Sequence, residues 1–273
     1  MSGTDEPLSR QGRAVQAFFS LIGEGVARWT RLDYQGPDRL PDGPALIVAN
    51  HGFGGLFDVN AFVIAALANR LRPGPDSRIT VLTHQLAWTL GVGPLLEPAG
   101  FRPASRQAAL DGLAAGHHVL VLPGGDLDAG KSFAHRNEVV FEGRTGYAEI
   151  ALEAAVPIIP VVVSGAGETL LVLSDGRRLA ERLGLPQRAR MKALPISVSV
   201  PWGVSVGVVG LAPYVPIPAK MRAAVLEPIT ATAGEGADSL AARVHGAMST
   251  RLTAMTEGRI PVLGARWPRV GRG

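Results

Sequence analysis

The sequence predicts an α/β fold: a single domain with a largely parallel central sheet flanked by helices, plus an N-terminal amphipathic helix. Three observations carry this expectation. Short apolar runs of strand length recur at 45–49, 79–83, 119–122, 158–163 and 222–226, and such runs are what strands covered on both faces look like. Helical patterns stand between them at 58–70, 105–115 and 145–155, and a last helix is expected at 238–256. With 47% hydrophobic and 18% charged residues over 273 positions, the chain can bury a large core, which excludes an intrinsically disordered protein.

Each element follows from its local pattern. Between Arg10 and Arg31, Val15, Phe18, Phe19, Ile22, Val26 and Trp29 share one helical stripe, while Arg10, Arg13, Glu24, Arg28 and Arg31 lie off it. Such a helix either docks on the domain core or lies in a membrane interface. The charges also break the first apolar stretch, so no secretory signal peptide is expected. The polar turn at 35–44 leads into the first strand, and the segment Asn50 to Phe57 reads as a loop ahead of the next helix. Residues 193–219 carry no charge, yet Pro195, Pro201, Pro213, Pro216 and Pro218 exclude an ordinary transmembrane helix. The alternation at 196–200 and 204–208 instead predicts a hairpin, either in the core or touching lipid or an acyl chain. The expected organisation is a lead-in with the amphipathic helix at 1–43, the main domain at 44–258 and a basic tail at 259–273.

Composition narrows the chemistry. There is no cysteine, which excludes disulfide scaffolds, thiolate metal sites and a cysteine nucleophile. Net charge is +4, carried by arginine with only Lys131, Lys192 and Lys220 as lysines. This balance suits anionic membranes or phosphorylated substrates without selecting either, and no nucleic-acid partner is expected. The histidines and acidic residues show no metal-ligand spacing, so no metal is expected.

Three motifs carry candidate chemistry. Asn50-His51-Gly52-Phe53-Gly54-Gly55-Leu56-Phe57-Asp58 follows a strand, the place where open α/β sheets bind ligands. His51 can accept a proton near neutrality and Asp58 can orient it; alternatively Asp58 caps the next helix. A second strand runs into Pro123-Gly124-Gly125-Asp126-Leu127-Asp128. Here Gly125 to Ser132 formally matches the phosphate-loop pattern G-x-x-x-x-G-K-S, but Asp126 and Asp128 would repel phosphates. The third motif, Phe141-Glu142-Gly143-Arg144-Thr145-Gly146-Tyr147, places Arg144 at a helix N-terminus, where a phosphate would be well held.

In this order the blocks resemble the lysophospholipid and glycerolipid acyltransferase superfamily, of the 1-acylglycerol-3-phosphate acyltransferase type, and most closely its diacylglycerol acyltransferase-2-like branch with P-G-G. The resemblance spans roughly residues 44–228. It rests on Asn50-His51 to Asp58, on Gly100-Phe101-Arg102, on Leu122-Pro123-Gly124-Gly125, and on Val156-Pro157-Ile158-Ile159-Pro160. The stretch from Phe141 to Gly146, with Gly143, Arg144 and Thr145, strengthens it. Asp58 stands seven residues after His51, where the family's common motif has five, and Leu56 occupies that place.

The resemblance implies transfer of a fatty acyl group from an acyl-CoA or acyl-carrier-protein thioester to a lipid hydroxyl. His51 would be the general base, oriented by Asp58. Arg144 and secondarily Arg102 would hold an acceptor phosphate, and Gly124 and Gly125 would serve the oxyanion. No cofactor is implied beyond the thioester co-substrate. The expected partners are the acyl donor, the lipid acceptor and a membrane surface, with the protein peripheral on the cytoplasmic face. Two other readings stand beside it: a P-loop-type NTPase or kinase using Gly125 to Ser132, and a catalytically inactive lipid-binding protein.

Overall fold

The computed structural model describes residues 9–37, 40–52, 59–71, 79–89, 91–188, 194–207 and 214–264. In chain order the main elements are α1 (Arg10–Trp29), β1 (Asp33–Gln35), β2 (Leu46–Ala49), α2 (Val59–Leu71), β3 (Ile79–Thr83) and β4 (Phe101–Pro103). They continue with α3 (Arg106–Ala114), β5 (His118–Val121), α4 (Gly146–Ala154), β6 (Ile158–Ser164), β7 (Leu171–Ser174), β8 (Ile196–Ser199), β9 (Gly203–Val206), β10 (Arg222–Val225) and α5 (Ala237–Thr256).

Seven strands form the central sheet in the order β1-β10-β6-β2-β5-β3-β4, and β7-β8-β9 form a separate antiparallel sheet. The five strands from β6 to β4 run parallel, as the sequence leads one to expect. β10 runs antiparallel to β6. Between the two strands the chain builds the small sheet and, among the described residues, only two short α-helices, Arg177–Arg182 and Leu185–Arg188, before it returns on β10.

Alternate residues of each central strand feed different layers. On one face Leu46, Val48, Val119, Ile158 and Val162 pack with α3, α4 and α5. On the other Ile47, Ala49, Leu120, Ile159, Val161 and Val163 pack with residues of α2 and with Val26 of α1. The helix α5 shows why the fold holds: Leu240, Val244, Met248 and Leu252 recur every fourth residue and are buried against the sheet, each worth about 1.5–3 kcal/mol on burial.

The N-terminal helix is part of this domain. Ser9 caps it by accepting from the Gly12 N–H at 3.0 Å, and Gly12 lies so close to the turn at Pro98 that a Cβ there would stand 2.1 Å from the Pro98 oxygen. The expected stripe divides. Phe19 stacks on Phe62 and meets Phe101 at a tilt and Val26 joins the core, whereas Phe18 and Trp29 remain exposed, as does Leu21, which lies outside the expected stripe. At its far end the Trp29 indole donates to the Pro216 oxygen at 2.9 Å and Arg31 donates to the Pro218 oxygen at 2.8 Å.

Beyond α5, Arg259 is buried and makes a two-pronged ion pair with Glu168, donating from Nε at 2.9 Å and Nη2 at 2.8 Å. The described chain past residue 258 therefore packs on the domain. Among the described residues, no helix is long and apolar enough to cross a membrane.

Ahead of α5, Glu235 accepts from the Thr232 N–H at 2.9 Å, from Arg243 at 2.6 Å and from the Ser239 hydroxyl at 2.9 Å. The Thr232 amide first, and the Arg243 guanidinium next, hold its carboxyl at about 2 instead of the ordinary 4.5. A depressed carboxylate stabilises the fold above its unfolded pKa and loses that contribution as the pH falls. Glu235→Gln should therefore lower the thermal midpoint at neutral pH, and the gap from wild type should close between about pH 4.5 and pH 2 in paired melting curves.

Candidate active site

The candidate site is assembled where the central parallel strands end. After β2, Asn50 prolongs the pairing with β6 through its side chain: its amide Nδ2 donates to the Val163 oxygen at 3.0 Å, and its Oδ1 accepts from the Val163 N–H at 2.8 Å. Asn60 of α2 donates to the Asn50 oxygen at 2.5 Å. A buried asparagine satisfied in this way continues the sheet by one residue. His51 comes next, half-buried at the strand's exit. Gly52 lets this turn lie against the turn after β6, since a Cβ there would stand 2.4 Å from the Ala166 Cβ.

A buried ion pair fixes the His51 backbone. Asp128 Oδ2 accepts from the His51 N–H at 2.7 Å, and its Oδ1 accepts from Lys131 Nζ at 2.6 Å and from the Val140 N–H at 3.3 Å. Lys131 Nζ also donates to the His51 oxygen at 2.9 Å and to the Glu138 oxygen at 2.9 Å. The pair thus grips both main-chain polar groups of His51. Both side chains are almost wholly shielded from solvent, where an ion pair is tenable only because hydrogen bonds satisfy its remaining valences.

This geometry disposes of the phosphate-loop reading. Lys131 already has three protein acceptors, and the short helix Gly125–Ala129 ends before it instead of starting at Lys131-Ser132. Neither feature suits a nucleotide phosphate.

The Pro123–Gly125 turn lies next to His51 because β2 and β5 are hydrogen-bonded in register, Val48 facing Val121. Gly124 is demanded by Asp128: a Cβ would stand 2.2 Å from the Asp128 Cβ. Gly125 has φ +53°, and its N–H donates to the Leu122 oxygen at 3.3 Å. That corrects the expectation for this glycine, whose amide closes the turn here instead of pointing at an oxyanion.

Arg144 belongs to the same rim. Glu142 and Gly143 both have positive φ, +48° and +69°, and the Arg144 N–H closes the turn on the Phe141 oxygen at 3.0 Å. Consecutive left-handed residues make a tight reversal that glycine tolerates best. The turn sends Arg144 Nη1 to the Pro123 oxygen at 2.6 Å, above Gly125. Thr145 then precedes α4 without a side-chain cap bond. Tyr147, one residue into α4, is buried with its hydroxyl donating to the Ala241 oxygen at 3.1 Å, and burial raises its pKa to about 12; it is structural.

Asp58 lies outside the described residues, as do Phe53, Gly54, Gly55, Leu56 and Phe57. Arg102 is on the edge strand β4, three strands from β2 and so about 14 Å across the sheet. Its Nη1 donates to the oxygens of Glu97 and Phe101, both at 2.7 Å. An arginine held to its own loop at a distant edge does not meet a ligand at His51. Among the described residues, no group of histidines and carboxylates is arranged to hold a metal ion.

Between α1, α2 and the face of the central sheet lies a cavity of about 120 Å³ lined almost entirely by apolar groups, including Phe19, Ile47, Ile64, Leu67 and Leu120, and reaching Leu122, the residue before Pro123. Ile47 is four residues back along the strand from His51.

Comparisons with known proteins bear on this arrangement. A family model described as Acyltransferase matches residues 31–164. An uncharacterized protein of Mycobacterium tuberculosis is 31% identical over 203 residues, 74% of this chain and 52% of that protein. The "DGAT1/2-independent enzyme synthesizing storage lipids" of Gallus gallus is 28% identical over 162 residues, 58% of this chain and 47% of that one. The chain thus spans about half the length of the curated relatives it matches. The crystal structure of the 1-acyl-sn-glycerophosphate acyltransferase PlsC from Thermotoga maritima superposes with a TM-score of 0.54 at 15% identity, covering 89% of this chain and 81% of that one. It shares the fold.

Removing one member of a buried pair strands the other's charge, at a cost of about 3–5 kcal/mol. Lys131→Met should show a loss of that size in urea denaturation, and the double variant Asp128→Asn/Lys131→Met should recover part of it. A loss below about 1 kcal/mol would place the pair with ordinary surface ion pairs.

Proposed function

The chain belongs to the acyltransferase superfamily, and on that premise we propose that it transfers a fatty acyl group from an acyl-CoA or acyl-carrier-protein thioester to a hydroxyl of a lysophospholipid, glycerolipid or related lipid. One observation carries the reading: a histidine with an immobilised backbone stands at the exit of the central strand, beside the Pro123–Gly125 turn that Arg144 caps. His51 removes the proton from the acceptor hydroxyl. The alkoxide forms an ester bond at the thioester carbonyl as the C–S bond breaks, and the proton held on His51 goes to the departing thiolate. No covalent acyl-enzyme is needed, consistent with a chain that has no cysteine.

The rest of the site serves this step. Arg144 holds the acceptor's phosphate where the acceptor has one. The cavity receives acyl methylenes; at about 120 Å³ it is smaller than the roughly 300–1,000 Å³ that encloses a whole drug-sized ligand, so it takes a stretch of chain and not an entire lipid. Asp58 is proposed as the orienter of the imidazole. Relatives named for storage-lipid synthesis favour a neutral glycerolipid product as strongly as a phospholipid one, and the acceptor's charge is what Arg144 tests.

Purified protein should transfer label from acyl-CoA to a member of a panel of lysophospholipids, glycerol phosphate, diacylglycerol and long-chain alcohols. His51→Ala should lower the rate about 10²–10⁴-fold, as loss of a general base does, with an unchanged melting curve; wild-type turnover in the variant would contradict the mechanism. Arg144→Ala should raise KM for phosphorylated acceptors far more than for neutral ones, and an equal loss on both would assign Arg144 a structural role or one toward the donor. Ala61→Phe, at the cavity wall, should lower turnover of long-chain donors while sparing short ones, read as a shift in the chain-length profile.

A further inference from the structure

The small sheet β7-β8-β9 is built inside out. Ser197 and Ser199 of β8 are 1% and 8% exposed, facing the protein, whereas Val204 and Val206 of β9 are 71% and 42% exposed. The register explains the arrangement: Val198 pairs with Val204, Ile196 with Val206, and Ser197 with Ser205, so the two strands put valines and isoleucine on one side and serines on the other. Val200 and Val215, bridged to each other, extend the outward apolar side, and Leu173 adds to it from the neighbouring strand. A strand facing water has the opposite pattern.

Charge and aromatic placement say what covers this face. No charged residue occurs from Ala193 to Ala219, and the segment is flanked in sequence mostly by cations: Arg178 and Arg182 are exposed on the short helix Arg177–Arg182, beside a single acid, Glu181, and Lys220 and Arg222 follow directly. Two half-exposed indoles stand at its margin: Trp202 in the β8–β9 turn, and Trp29, whose N–H donates to the Pro216 oxygen just beyond Val215. An uncharged apolar face with indoles at its margin matches the hydrocarbon and interface of a bilayer, and exposed arginines close to it in sequence suit its anionic headgroups. Trp29 also makes the patch continuous with the exposed Leu21 and Phe18, which share its side of α1.

We propose that the outward face of the β7-β8-β9 sheet, with Trp202 and Trp29 at its edge, is the surface by which this protein docks on an anionic lipid bilayer. The choice of occupant rests on the proposed lipid chemistry; the exposed face itself does not. On this view α1 contributes its Trp29 end, while Phe19 and Val26 of its apolar stripe face inward.

The test is flotation of the full chain with vesicles of phosphatidylcholine and phosphatidylglycerol. Val204→Ser/Val206→Ser should weaken binding about tenfold or more, and Val204→Glu, which also repels anionic headgroups, should weaken it further. Both should keep the wild-type melting curve, because the altered side chains are exposed. They should also keep turnover of a water-soluble short-chain donor and acceptor. Three results would overturn the proposal: no flotation of the wild type; unchanged flotation of both sheet variants while Phe18→Ser/Leu21→Ser releases the protein; or a wild-type dimer in sedimentation velocity that the sheet variants convert to monomer, which would give the face to a second copy. Flotation that responds as expected without any acyl transfer would defeat the proposed activity and leave the docking surface standing.

Discussion

Asp128 and Lys131 form the contact on which the site depends. They join the exit of β2 at His51 to a distant part of the chain, the turn after β5 and the stretch at Glu138 and Val140 that leads to Arg144. A charge pair removed from water is a poor source of net stability, but it is highly directional. Each of its polar atoms must find a partner at a fixed distance, and two of those partners are the amide and carbonyl of His51. The histidine's backbone therefore cannot move without exposing a buried charge. The same requirement makes a side chain at Gly124 impossible, because that glycine lies against the Asp128 methylene.

From this anchor the molecule divides its apolar surface among three uses. Strands buried on both faces make the core. A cavity remains between the sheet and the helices α1 and α2, and a separate sheet turns its valines outward. The helix α1 takes part in all three through different residues: Val26 in the core, Phe19 at the cavity and Trp29 beside the outer sheet. A simple hydrophobic period treats these residues as equivalent, although packing has given them different neighbours.

That is also the measure of what the sequence reveals. The central strands and long helices are legible because their apolar periods extend over four or more residues; the run 79–83 coincides with β3, and the helical pattern 145–155 contains α4. The strands β1 and β4 have three residues each and exist through partners distant in sequence, so no local pattern marks them. The direction of β10 depends on the path of the intervening chain and is invisible locally. His51 and Arg144 stand out because a strand or helix terminus gives a reactive side chain its place. Arg102 looked similar as a letter, but its guanidinium is taken by its own loop. The formal phosphate-loop match at Gly125 to Ser132, already opposed by its own aspartates, hides the true use of Asp128 and Lys131, since local spacing records which residues are near one another and not which acceptors they meet across the fold.

The most direct measurement of this account is amide hydrogen exchange at His51, resolved by residue in the full chain. If Asp128 and Lys131 clamp its backbone, the His51 N–H should exchange as slowly as the amides of Ile47 and Val48 in β2, opening only with the sheet. Exchange as fast as that of an exposed turn amide would mean that the buried pair does not hold His51, and the positioning of the proposed base would need another source.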